Sequence, residues 1–162
     1  MMKKIFYTIL ISLVTQFVYA AGSDSSSVEY KTNYYQDAKK LIKQAGKLEK
    51  NENTEKAKKI YSKAFKKLKK AHSADKKNPD ILNYMGYTSR KIGNFDEAEK
   101  FYLTGLKIKP DHNGINEYLG ELYVQTNRID KAKERLEVLK DCNCEEFKDL
   151  ELIIKTRGTK IY

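Results

Sequence analysis

Cys142 and Cys144 are the two cysteines of the 162-residue sequence, two positions apart in Asp141-Cys142-Asn143-Cys144. Sulfur at that spacing has three uses. The pair can form a local disulfide, or stay as two structural thiols, shaping a turn. It can work as a redox-active or partner-linking pair. It can hold a soft metal such as Cu(I). The histidines add little to the last use. His72 and His112 are isolated in sequence, and His112 follows Pro110 in a turn where it is expected to face solvent. Two cysteines and two distant histidines do not make a zinc-type ligand set, so no metal site of that kind is expected. No nucleophile-and-base constellation and no glycine-rich phosphate loop is found. The expectation is a protein that is not an enzyme and takes no cofactor.

The start of the chain reads as an address rather than as fold. Two lysines, Lys3 and Lys4, precede an apolar run over residues 5–19, and Val18-Tyr19-Ala20-Ala21 supplies compact residues for a signal peptidase. Residues 1–20 are read as a signal peptide cleaved after Ala20, which implies export to a periplasm. The alternative is an uncleaved anchor, although a run of about 15 residues is short of the ~20 that span a bilayer. Removing Lys3 and Lys4, with no acid among residues 1–20, lowers the formal charge from +10 to +8.

The positive excess lies between Lys39 and Lys77, where 15 lysines face only Glu49, Glu52, Glu55 and Asp75. A solvated lysine face accounts for it. Weak contact with an anionic membrane surface, or with an acidic partner, is the functional alternative. Nucleic acid is not expected, because an exported chain rarely meets it and this stretch is poor in arginine.

Hydrophobic residues make up 40% of the sequence and charged residues 33%, which suits thin layers of amphipathic helix. Residues 21–33 are small and polar, and a flexible lead-in is expected there. Tyr34, Ala38, Leu41, Ala45 and Leu48 then recur every three or four residues, as on one face of a helix. Ala57, Ile60, Tyr61, Ala64, Phe65, Leu68 and Ala71 make a second, longer stripe. Pro79 ends that helix and opens the next.

Beyond it the sequence superimposes on itself at a period of 34 residues: Tyr84 on Tyr118, Gly86 on Gly120, Gly93 on Asn127, Asp96 on Asp130 and Ala98 on Ala132. Gly93 and Asn127 suit a left-handed helix end. Asn94 and Glu97 have the spacing of a capping box. Glycine inside a helix costs about 1 kcal/mol relative to alanine, so Gly86 and Gly120 imply a close contact that offsets the cost. Leucine at Gly86 is expected to be disruptive, and alanine to be absorbed. After Cys144, Phe147, Leu150, Ile153 and Ile154 make a last apolar face, with Gly158 past its end.

The segment with Leu82, Met85, Gly86, Gly93, Phe95, Ala98, Tyr102, Leu106 and Pro110 resembles a tetratricopeptide repeat over nearly its whole length. The following unit matches at Leu119, Gly120, Tyr123, Ala132 and Leu136, and departs at Asn116. The first unit is weaker and has Ala45 where the glycine would stand. The resemblance implies an all-α solenoid of about three helix-turn-helix repeats, near 38–78, 79–112 and 113–144, within a domain spanning 34–162. A capping helix over 145–158 would close the stack.

In that family the first helix of each unit lines a concave groove. Here this implies Asp80, Asn83, Tyr87, Arg90 and Lys91 from one helix and Glu117, Glu121, Val124 and Gln125 from the next. Asn83, Tyr87 and Arg90 share a face by their spacing, and so do Glu117 and Glu121. Two acids four apart repel unless a cation sits between them, and Arg90 is the candidate. Such a face is either a salt-bridged surface with no ligand or a groove that binds an extended peptide. The function implied is a non-enzymatic periplasmic scaffold or adaptor that binds a protein or peptide segment. The alternative is a thiol-redox or soft-metal helper that uses Cys142 and Cys144.

Overall fold

The computed structural model describes residues 25–158, with side chains from Tyr34 onward. The expected signal peptide at 1–20 lies outside the described residues. Seven helices follow one another, with no strand among the described residues: α1 (Ser25–Lys50), α2 (Thr54–Ala74), α3 (Pro79–Lys91), α4 (Phe95–Ile108), α5 (Asn113–Gln125), α6 (Ile129–Leu139) and α7 (Glu145–Lys155). The all-α stack read from the sequence is the fold. Each of the first six helices packs on its hairpin partner, as α1 on α2, α3 on α4 and α5 on α6, and α7 packs on α5 and α6. One correction falls at the start. α1 begins at Ser25, inside the 21–33 segment expected to be a flexible lead-in. Adding residues to an existing helix is cheap once its nucleus exists, and the 34–50 stripe supplies that nucleus.

The turns follow local chemistry. Asn78 caps α3, its Oδ1 accepting from the N–H groups of Asp80 at 3.0 Å and Ile81 at 3.3 Å, with Pro79 in the first turn. Gly93 (φ 92°) and Asn127 (φ 58°) take the left-handed conformation that ends α3 and α5. The capping box expected at Asn94 and Glu97 does not form. Asn94 makes no side-chain cap, and Glu97 Oε2 instead accepts from the buried Ser89 hydroxyl at 3.3 Å. That bond serves a hydroxyl inside the packed layer, which costs more to strand than a solvated helix end.

Apolar packing runs as a thin seam through the stack. Ala38, Leu68, Ala71, Ile81 and Met85 join the first pair to the second. Ala98, Tyr102, Ile115, Leu119, Leu122 and Ala132 join the second to the third. Gly86 sits where α3 meets α4. A Cβ there would lie 2.6 Å from Cδ1 and 2.7 Å from Cζ of Tyr102, a ring with no solvent exposure. The expectation that alanine would be absorbed at Gly86 is therefore corrected, because the obstacle is a fixed ring and not a free side-chain end. Gly120 repeats the residue but not the neighbour. Its Cβ would meet Leu150 of α7, so the second glycine serves the cap.

Gly86→Ala should destabilise the protein by about 1–3 kcal/mol in urea unfolding, through overpacking. Gly46, in α1, is the internal contrast, since a Cβ there meets nothing nearer than the Tyr61 hydroxyl at 3.8 Å. Gly46→Ala should raise stability by roughly 0.5–1 kcal/mol, the propensity difference alone. Equal effects at both sites would show that the Gly86–Tyr102 contact does not limit packing.

Candidate functional site

α1, α3, α5 and α7 supply the first-helix layer of the stack. Along it, α1 and α3 meet through Tyr35 and Tyr84, whose ring centroids lie 5.8 Å apart edge to face. Farther along, Tyr87 of α3 and Tyr118 of α5 approach to 5.0 Å. A groove of about 390 Å³ opens between these helices, with Gln36, Lys39, Lys40, Ile42 and Lys43 of α1 on one wall. Tyr84, Tyr87 and Tyr118 form the other wall.

Much of the residue set expected to line the groove lies inside the seam between units. Arg90 is 5% exposed and Glu121 7%, and their side chains pair at 2.5 Å. Arg90 Nη1 also donates to Gln125 Oε1 at 3.2 Å. Its guanidinium lies 5.6 Å from the Tyr87 ring centroid and 5.8 Å from that of Tyr118. Burial disfavours the charge on Arg90, yet Glu121 and the neighbouring tyrosines outweigh burial and hold its pKa above the ordinary arginine value. The arginine stays charged. Asn83 and Glu117 are buried as well. The expected placement of Arg90 against the acids of the next unit is observed, but as an internal brace.

Lys91 braces the other seam. Its Nζ donates to Glu49 Oε2 at 2.8 Å, and the buried Tyr61 hydroxyl donates to the same oxygen at 2.9 Å. The ammonium lies 5.6 Å from the Tyr87 ring centroid and 6.0 Å from that of Tyr61. Of the expected set, Tyr87 lines the open groove, and Gln125 is exposed but does not line it. The lysine wall of α1 was not singled out from sequence. The signal was present, because Gln36, Lys39, Lys40 and Lys43 recur at helical spacing and share a face.

His112 is a second correction. It is mostly buried, not solvent-facing, and it is the N-cap of α5. Its Nδ1 accepts from the Ile115 N–H at 3.2 Å, and its Nε2 lies 3.0 Å from Asp80 Oδ1 at the start of α3. With Nδ1 on the start of α5 and Nε2 beside Asp80 of α3, the ring joins two units. Asp149 on α7 shows the opposite charge balance. Burial, then Glu145, Glu121 and Glu146, hold its carboxyl above the usual carboxylate range.

Cys142 and Cys144 are joined by a disulfide in the α6–α7 turn, with Asn143 between them at φ 48° and Cys144 as the N-cap of α7. In this bonded state neither sulfur is a thiolate, the form that binds a soft metal. Among the described residues, no group of three or more His, Cys, Asp or Glu side chains is placed to hold a metal ion.

Arg90→Ala should cost about 3–5 kcal/mol in urea unfolding, because it breaks a buried ion pair inside the seam. Arg90→Met combined with Glu121→Leu should recover a large part of that loss. An Arg90→Ala protein as stable as wild type would show that the pair braces nothing. At the second joint, His112→Ala should cost about 1 kcal/mol through the lost cap, and His112→Asn should regain most of it. Identical melting of the two variants would count against capping.

Comparison places these features among known proteins. Residues 79–112, which hold α3 and α4, match the tetratricopeptide repeat family model. No curated protein matches the sequence. Among solved structures, a thermophilic TPR protein of Thermus thermophilus superimposes with a TM-score of 0.65 at 20% identity, over 82% of this chain and 66% of that one. This chain thus spans just under two thirds of the length of that protein. The type III secretion translocator chaperone SycD of Yersinia enterocolitica gives a TM-score of 0.50 at 17% identity, over 76% of this chain and 89% of that one. At such identities the likeness is one of fold. Residues 79–112 thus match a tetratricopeptide repeat, and the stack that contains them has the fold of a TPR solenoid.

Proposed function

We propose that the protein is a non-enzymatic scaffold that holds an acidic segment of another protein in the groove between α1, α3 and α5. One observation carries this reading. The groove sets the side chains of Lys39, Lys40 and Lys43 opposite the rings of Tyr84, Tyr87 and Tyr118. The ammonium groups attract carboxylates, and the rings give rigid apolar area at low entropic cost. The volume of about 390 Å³ is within the range that binds small ligands or a few side chains of an extended segment. The seam below helps, because Arg90 and Lys91 are held in place and keep Tyr87 and Tyr118 together. The apolar N-terminal run supports export, which would make the partner a protein of the periplasm.

Fluorescence anisotropy tests this with a labelled acidic peptide and its Asp→Asn, Glu→Gln counterpart. The acidic peptide should bind more tightly. Lys40→Glu with Lys43→Glu, and separately Tyr87→Ala, should weaken binding on the order of tenfold or more. Lys148→Glu, on the exposed side of α7 and paired with Glu145, should leave it unchanged. Equal binding of both peptides, or wild-type binding by the groove variants, would refute the reading.

A further inference from the structure

α2 carries a second basic surface. Lys56, Lys59, Lys63, Lys66 and Lys70 recur at alternating steps of three and four residues, the spacing that keeps a row on one helix face. All five are exposed, while Ala57, Tyr61, Ala64, Leu68 and Ala71 turn the other side of α2 into the core. The row is about 21 Å long at the α-helical rise. The only acid on α2 is Glu55, which precedes the row and pairs with Lys58. Beside the row, Lys67 pairs with Asp37.

Among the described residues, no ion pair involves any of the five. Several lysines near the end of the chain differ. There Lys133, Lys140, Lys148 and Lys155 each face a carboxylate three or four residues away. These four are neutralised by a near neighbour, whereas the five lysines of the α2 row run without a carboxylate among them. Lys70, at the end of the row, lies 5.1 Å from the Tyr34 ring centroid, a contact that leaves its charge in place.

We propose that this row docks the protein on an anionic lipid surface. Three features select lipid. First, the row holds ammonium groups and no arginine or aromatic residue of its own, so it lacks the groups that read base edges or stack on bases. Second, neighbouring lysines rise about 4.5–6 Å along the helix. A folded acidic protein would need carboxylates in matching register over the whole row, whereas lipids diffuse laterally and each ammonium recruits its own phosphate. Third, the export implied by the apolar run at residues 5–19 would bring the protein beside the membranes of the cell envelope. By itself the row gives reversible, salt-sensitive binding.

The experiment is sedimentation with two kinds of vesicle, phosphatidylcholine alone and the same lipid with a third replaced by phosphatidylglycerol. Every protein carries the same N-terminus, and the readout is the ratio of binding to anionic over neutral vesicles. Lys59→Glu, Lys63→Glu and Lys66→Glu together should lower that ratio on the order of tenfold or more. A variant with the same net charge, Lys133→Glu, Lys140→Glu and Lys148→Glu, should lower it far less. High salt should remove the preference of the wild type, since the screening length contracts from about 10 Å at 0.1 M to about 3 Å at 1 M. All the substituted lysines are exposed, and circular dichroism checks that the variants fold. Equal losses from the two triple variants would reduce the effect to net charge and overturn the proposal. So would a wild-type ratio near one, or row-dependent capture of duplex DNA with none of vesicles.

Discussion

The contact between Gly86 and Tyr102 is the constraint on which the concave face depends. With no Cβ on α3 at this position, the ring of Tyr102 lies directly against the helix backbone and is wholly buried. The ring also interacts electrostatically with Arg90, one turn further along α3. Arg90 in turn pairs with Glu121 of the next unit. The close approach of α3 and α4 and the buried cation thus lie one turn apart on the same helix. That cation determines how α5 lies beside α3, and so how Tyr87 approaches Tyr118.

Each joint between units adds a directional contact to an apolar one. Lys91 and Glu49 tie the first unit to the second. Arg90 with Glu121, His112 with Asp80, and Arg128 with Glu99 tie the second to the third. Apolar packing alone tolerates sliding between thin layers, whereas a partly or wholly buried ion pair loses most of its value when displaced. The stack is therefore held in register by polar groups and held together by apolar ones. This explains why charged residues on the first-helix layer are so often buried here. They set the register and leave the binding surface to the flanking helix.

Charge is divided along the molecule in the same way. The first unit carries lysines on both of its helices with few acids, and both proposed surfaces belong to it. The groove wall is on α1 and the row is on α2. At the distal end, Asp149 lies among Glu145, Glu121 and Glu146, of which Glu121 pairs with Arg90 and Glu145 with Lys148. A bound acidic segment would be drawn toward the α1 side of the groove, where its lysines lie.

Period and residue type determined the helices from sequence alone. The apolar stripes, the 34-residue spacing of Gly86 and Gly120, and the left-handed turns at Gly93 and Asn127 are local or repeated features that need no partner to be read. Tertiary structure decided what each feature touches. Gly86 meets Tyr102 of its own unit, yet Gly120 meets Leu150 of α7, and no local rule separates two glycines in the same motif. The capping box at Asn94 and Glu97 is absent, because the Asn94 N–H bonds the Ser89 carbonyl and Glu97 accepts from the Ser89 hydroxyl across the turn. His112 gained one because Asp80, far off in sequence, holds the second ring nitrogen. Arg90 was found against Glu121 as its spacing implied, but its burial was not legible, because spacing tells which face a residue occupies and not the distance to the next helix. The α1 lysines show the converse. Their shared face was visible from the start, and only the stack showed that this face looks across a groove at three tyrosines.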